Sequence, residues 1–247
     1  MIRRRLWVMR GSTIVLLVGG MLLVGVEGVR TYETDPAAGE ARVQGRVTFP
    51  GSAPTAERIQ VMRDRSFCGE TVPNEALLVD KASKGVAGVV VSVEGVTKGK
   101  PIEIAPMLMD NARCRFHPRV RAAVMGSPLE LKNADPVLHN THIRKDSVTF
   151  LNIALPPGGK PILKPLSEAG RLDVRCDAHK FMQASIHVFD HPYFAVTDEA
   201  GRFELTKVPP GTYSLRIWHE KLGTQEQTIQ VPAKGTVTVN PVLERQR

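Results

Sequence analysis

The sequence predicts an all-β protein: a larger β-sandwich or barrel, then a smaller β-sandwich, behind an N-terminal hydrophobic helix. Three observations carry this. Short apolar segments recur at 42–49, 86–93, 119–124, 129–133, 147–153, 171–176 and 184–189, separated by Pro, Gly, Asn and Asp. No long apolar period of 3.6 residues appears after the N-terminus. Beyond residue 190 strand and turn alternate in YFAVTD, RFELTKV, TYSLRIWHE and QEQTIQV, with Gly201, Pro209, Pro210 and Gly211 at the corners.

The length of 247 residues allows two compact domains. Hydrophobic residues make up 42% of the chain and aromatics 5%, so the cores must be filled mainly by Val, Leu, Ile and Ala. The boundaries read as 1–28 for a signal peptide or membrane anchor and 29–40 for a polar linker. Residues 41–190 read as the larger sandwich with an N-terminal β-extension, and 191–247 as the smaller one.

Arg3, Arg4, Arg5 and Arg10 precede an uncharged stretch over residues 11–26, the pattern of an export signal. Such a helix spans about 24 Å against a hydrocarbon core of about 30 Å, so cleavage and retention as an anchor both stand. The expected location is therefore periplasmic or otherwise extracytoplasmic, with membrane attachment if the segment is kept. Those arginines supply four of the eight net positive charges, leaving the rest mildly basic. No basic run is interleaved with aromatics, which argues against a nucleic-acid partner.

The chemistry gathers in LDVRCDAHKFMQASIHV, where Cys176, His179 and Met182 stand at three-residue spacing. Thiolate, imidazole and thioether form a soft donor set suited to copper and unsuited to calcium or magnesium. Upstream, LKNADPVLHNTHI brings His139, expected at the end of the strand that starts near Leu129. The gap to Cys176 accommodates two strands and a connection, so both can meet at one pole of a sandwich. His142 would point to the opposite face of the strand from His139 and reads as a supporting residue. His187, His191 and His219 read as solvated or hydrogen-bonded surface residues, and His117 as at most a minor metal ligand.

Asn133, Asp135, His139 and Asn140 followed by Cys176, His179 and Met182 resemble the plastocyanin and amicyanin family of cupredoxins. The resemblance covers roughly residues 105–190, and the short ligand loop is amicyanin-like. It implies that the larger domain is a Greek-key β-sandwich with a single type 1 (blue) copper ion held by His139, Cys176, His179 and Met182. Asn140 would stand behind them, tying the His139 segment to the Cys176 loop. Asp177 departs from the family pattern and would tend to lower the reduction potential. With Cys176 committed to metal, Cys68 and Cys114 are left as the disulfide pair, tying the β-extension to the sandwich. AVTDEAGRFELTKVPPGTYSLRIWHE resembles the carboxypeptidase regulatory-like (transthyretin-like) domain, a scaffold module.

These readings imply a one-electron carrier and no enzyme. Its expected partners are redox proteins such as a cytochrome or dehydrogenase, approached through the outer edge of His179 in an apolar patch. Copper delivery or storage, and a structural extracytoplasmic role, remain as alternatives.

Overall fold

The computed structural model describes residues 32–51, 54–55 and 57–245. The expected signal or anchor segment lies outside them. Among the described residues no helix is long and apolar enough to cross a membrane.

A short strand β1 (Glu33–Thr34) leads into β2 (Glu40–Arg46), where buried Ala41 and Val43 alternate with exposed Glu40 and Arg42. Next comes a cap: β3 (Arg58–Gln60), a single helical turn α1 (Arg65–Cys68) and β4 (Thr71–Pro73), with β3 and β4 antiparallel. In β5 (Val90–Glu94) the run Val90-Val91-Ser92-Val93 is buried throughout, as in a strand covered on both faces. A two-residue strand β6 (Lys98–Gly99) follows, paired with β1.

The larger sandwich occupies β7 (Met107–Ala112), β8 (Arg115–His117), β9 (Val120–Val124), β10 (Pro128–Asn133), β11 (His139–Lys145), β12 (Val148–Leu155), β13 (Ile162–Pro165), β14 (Gly170–Arg175) and β15 (Gln183–Phe189). One sheet has the order β13-β10-β7-β8 and the other β12-β11-β14-β15-β9. The pairs β10–β7 and β15–β9 are parallel and non-consecutive, which supplies the crossovers of a Greek-key arrangement. Met109, Leu129 and Leu131 from the first sheet and Ile143, Leu172, Val174 and Ile186 from the second are fully buried in one core. Removing that apolar surface from water is the main force holding the sheets face to face.

The smaller sandwich adds β16 (Phe194–Val196), β17 (Arg202–Val208), β18 (Gly211–His219), β19 (Gly223–Val231) and β20 (Lys234–Thr238). Its sheets, however, run β16-β5-β18-β19 and β17-β2-β20. Strands β2 and β5, expected within the larger domain, therefore belong to the smaller one. Val43, Val91 and Val93 share its core with Leu205, Leu215 and Ile217. The boundaries 41–190 and 191–247 are corrected accordingly: the larger sandwich is inserted between β5 and β16, which are hydrogen-bonded neighbours. Exit and re-entry at adjacent strands let an insertion leave its host sheet intact. Alternation and turn residues reveal that 42–49 and 86–93 are strands, but pairing partners more than 100 residues away leave no local trace.

The two sandwiches meet through side chains. His187 tilts against Trp218 with ring centroids 4.3 Å apart, and Phe189 stacks on Phe194 at 4.6 Å. The Arg119 guanidinium grips the Glu220 carboxylate with two bonds, of 2.5 and 2.8 Å. His187, His191 and His219, expected at the surface, are all buried in the structure. Burial pushes the His187 imidazole down to about 3, with Arg171 and Arg216 adding to the effect, and that of His219 to about 4, against the opposing pull of Glu220. These are neutral histidines of the interior.

Candidate metal centre

His139 opens β11, just past the loop that follows β10, and does not end the strand starting near Leu129. Three strands, β12 to β14, separate it from Cys176 where two were expected. Cys176 sits immediately after β14 and His179 in the turn before β15, and both β11 and β15 pair with β14. This shared neighbour brings the two segments to one pole of the sandwich. The ligand loop is closed by the Met182 N–H donating to the His179 carbonyl at 2.8 Å and the Cys176 N–H to the Met182 carbonyl at 3.3 Å.

The Nδ1 atoms of His139 and His179 face each other at 3.1 Å. Cys176 Sγ lies 3.9 Å from the first and 3.6 Å from the second. All three residues are buried, as is Met182 on the same loop. Cys176 is a free thiol, whereas Cys68 and Cys114 are joined in a disulfide with Cα atoms 5.7 Å apart.

The outer nitrogen of each imidazole meets a carboxylate. His139 Nε2 lies 2.9 Å from Asp135 Oδ2, and His179 Nε2 lies 2.9 Å from Asp64 Oδ2. A carboxylate at Nε2 draws the imidazole proton there and leaves Nδ1 as a lone pair. Two buried lone pairs aimed at one another beside a thiol constitute a donor set whose electrostatics call for a cation at their centre. Burial holds the His139 imidazole below its usual range, against the pull of Asp135 in the other direction.

Asn140 joins β11 to the Cys176 loop. Its Oδ1 accepts the Asp177 N–H at 2.7 Å and lies 3.4 Å from Cys176 Sγ, so one side chain of β11 holds the start of the ligand loop. Asp177 turns outward, where its carboxylate takes bonds from Asn140, Asn152 and His142. The His142 contact is the leading reason its carboxyl stays below the usual range. His142 thus braces the loop from outside.

Nothing in the sequence pointed to Asp64. It lies in the cap, 115 residues before His179, and closes the imidazole edge expected to reach the surface. That expectation is corrected: His179 is only 1% exposed. Phe181 packs edge-on against it at 5.7 Å, and a cavity of about 420 Å³ opens alongside, lined in part by Met62, Arg63, Lys180, Phe181 and Lys221.

A family model for the carboxypeptidase regulatory-like domain matches residues 178–244. Among curated proteins nothing matches the chain. The copper-containing nitrite reductase of Thermus scotoductus is 20% identical with a TM-score of 0.32, over 38% of this chain and 24% of that one. An oxidised amicyanin variant is 22% identical with a TM-score of 0.30, over 34% of this chain and 82% of its own. A purple cupredoxin from Nitrosopumilus maritimus is 18% identical with a TM-score of 0.30, over 34% of this chain and 99% of its own. At these scores the likeness adds no weight to the site, which stands on its own residues.

Proposed function

We propose that the protein is an exported type 1 copper protein that carries single electrons between redox partners, with copper held by His139, Cys176, His179 and Met182. The observation that carries this reading is the pair of buried Nδ1 atoms 3.1 Å apart beside the Cys176 thiol, each imidazole fixed from behind by a carboxylate. Two imidazoles and a thiolate with a nearby thioether are the donor set of an electron-transfer copper site. Copper bound there would supply a one-electron couple.

The chain's own residues prepare the site for that task. Burial of His139, Cys176 and His179 excludes water, and Asn140 fixes the loop that carries the thiolate. A site held this firmly changes little in shape when its charge changes, so little reorganisation opposes electron transfer. The close enclosure of the ligands favours a carrier over a catalyst. A redox partner such as a cytochrome or dehydrogenase would approach over Phe181 and Lys180, beside the cavity. Export is supported by the N-terminal basic and apolar segments and by the disulfide, which an oxidising compartment preserves.

Titrating the metal-free full chain with Cu(II) tests the proposal. One equivalent should give an intense visible thiolate-to-copper band with the narrow EPR splitting of type 1 copper. Stoichiometric binding without that band would reject the electron-carrier reading in favour of copper delivery.

A further inference from the structure

The two carboxylates behind the histidines belong to one unit joined by a disulfide and hydrogen bonds. Asp135 accepts the N–H groups of Arg113 and Cys114 at 2.6 and 2.7 Å, as well as facing His139. Cys114 is bridged to Cys68. Cys68 ends α1, and its N–H donates to the carbonyl of Asp64 at 2.9 Å. Asp64 then reaches His179. A continuous circuit thus runs from one imidazole to the other through the disulfide.

Backbone conformation marks the same unit. Arg113, Cys114 and Asp64 all have positive φ, at 55°, 56° and 55°. Consecutive left-handed residues form the tight turn between β7 and β8, a conformation that usually selects Asn or Gly. Holding non-glycine residues there costs free energy, which the surrounding bonds must offset. At 113 and 114 the return is two N–H groups aimed at Asp135. At 64 it is a carboxylate aimed at His179.

We infer that Asp64 is a positioning residue for His179 and that the Cys68–Cys114 disulfide is the tether that keeps it in place. The inference rests on the reading of His139, Cys176 and His179 as metal ligands. Asp64 fixes the tautomer that turns the His179 Nδ1 lone pair inward, and it closes the outer imidazole edge against solvent. Metal then enters or leaves only when the cap lifts. The outward path for an electron runs through the cap or Phe181 and does not start from a bare imidazole edge.

Two substitutions in the full chain separate positioning from bulk structure. Asp64→Ala removes the acceptor, whereas Asp64→Asn retains an acceptor oxygen and tolerates the left-handed backbone. In metal-free protein, imidazole ¹⁵N NMR should show His179 protonated at Nε2 in wild type and Asp64→Asn, and a tautomer mixture in Asp64→Ala. In copper-loaded protein, Asp64→Ala should weaken copper binding by about 10–100-fold. Asp64→Asn should raise the reduction potential, because a negative charge near the metal is lost. Cys68→Ser with Cys114→Ser should reproduce the Asp64→Ala tautomer mixture, and adding Asp64→Ala to that pair should change it no further. An unchanged tautomer and unchanged copper affinity in Asp64→Ala would overturn the positioning role, and additive effects would overturn the tether. If wild type lacks the blue band yet the tautomers behave as expected, the electron-carrier reading fails while the positioning role stands.

Discussion

The inserted sandwich is built from one continuous stretch of chain, whereas its host is assembled from strands on both sides of the insertion. The first carries the proposed donor residues. The second supplies a closed frame, to which strands before and after the insertion both contribute. Chemistry and mechanical integrity are thereby divided between two cores with separate residues, joined through His187, Trp218, Phe189, Phe194 and the Arg119–Glu220 pair. The division teaches that damage to either half should be recognisable from what the other half retains.

Cutting the chain after residue 190 should give the largest effect, because β2 then loses β17 and β20, and β5 loses β16 and β18. Unpaired apolar strands aggregate, so the fragment should be insoluble on fractionation after expression. The reverse surgery should be mild. Replacing residues 100–189 with a short Gly/Ser linker between β5 and β16 should leave a host sandwich that melts cooperatively by circular dichroism. If the fragment ending at residue 190 is soluble and folds, the shared construction of the host is wrong.

Single substitutions should separate the halves next. Cys176→Ser should abolish the blue band, while Ile217→Ala should cost roughly 2–5 kcal/mol in chemical denaturation and leave the spectrum of the copper-loaded protein unchanged.

Acid should act on the joint between them. His187 and His219 stay neutral in the folded chain down to about 3 and about 4, whereas in the unfolded chain they titrate near 6.5. Above 6.5 neither state takes up these protons and the full stability is present. Below it the unfolded chain binds protons that the folded chain refuses, so stability falls toward pH 4, by up to about 1.4 kcal/mol per pH unit for each histidine. His187→Gln should flatten that slope in denaturation curves measured across the range.

The smallest effects should lie at the exit of the site. Met182→Leu should keep the colour and shift the potential, and Phe181→Glu should slow electron exchange with a redox partner at an unchanged spectrum. A normal exchange rate in Phe181→Glu would move the electron path to the cap.

What could be read from the sequence followed distance along the chain. Cys176, His179 and Met182 share a seven-residue loop, so their spacing alone showed three soft side chains close together, and the segment around His139 added the rest of the proposed donor set. The strand at 183–189 was legible as apolar, but the burial of His187 was not, because it depends on Trp218 arriving from another sheet. Asp135 was visible four residues before His139 as part of a pattern, without its role as the acceptor behind that imidazole. Asp64 was invisible. An aspartate in a polar segment looks solvated until folding carries the disulfide-bound cap across the pole.

One property of the host frame concerns load. Strands β2 and β20, near the two ends of the described chain, lie side by side and parallel, with Glu40 opposite Lys234 and Gln44 opposite Thr238. Tension applied at Glu40 and Thr238 would therefore pull the start of β2 against the finish of β20. That is a shearing geometry, in which the ladder bonds resist together and must break together. The inserted sandwich hangs from β5 and β16, away from this line of force. A tug at those two points would be borne by the host ladder, and the geometry around Cys176 would go unstretched until that ladder gave way.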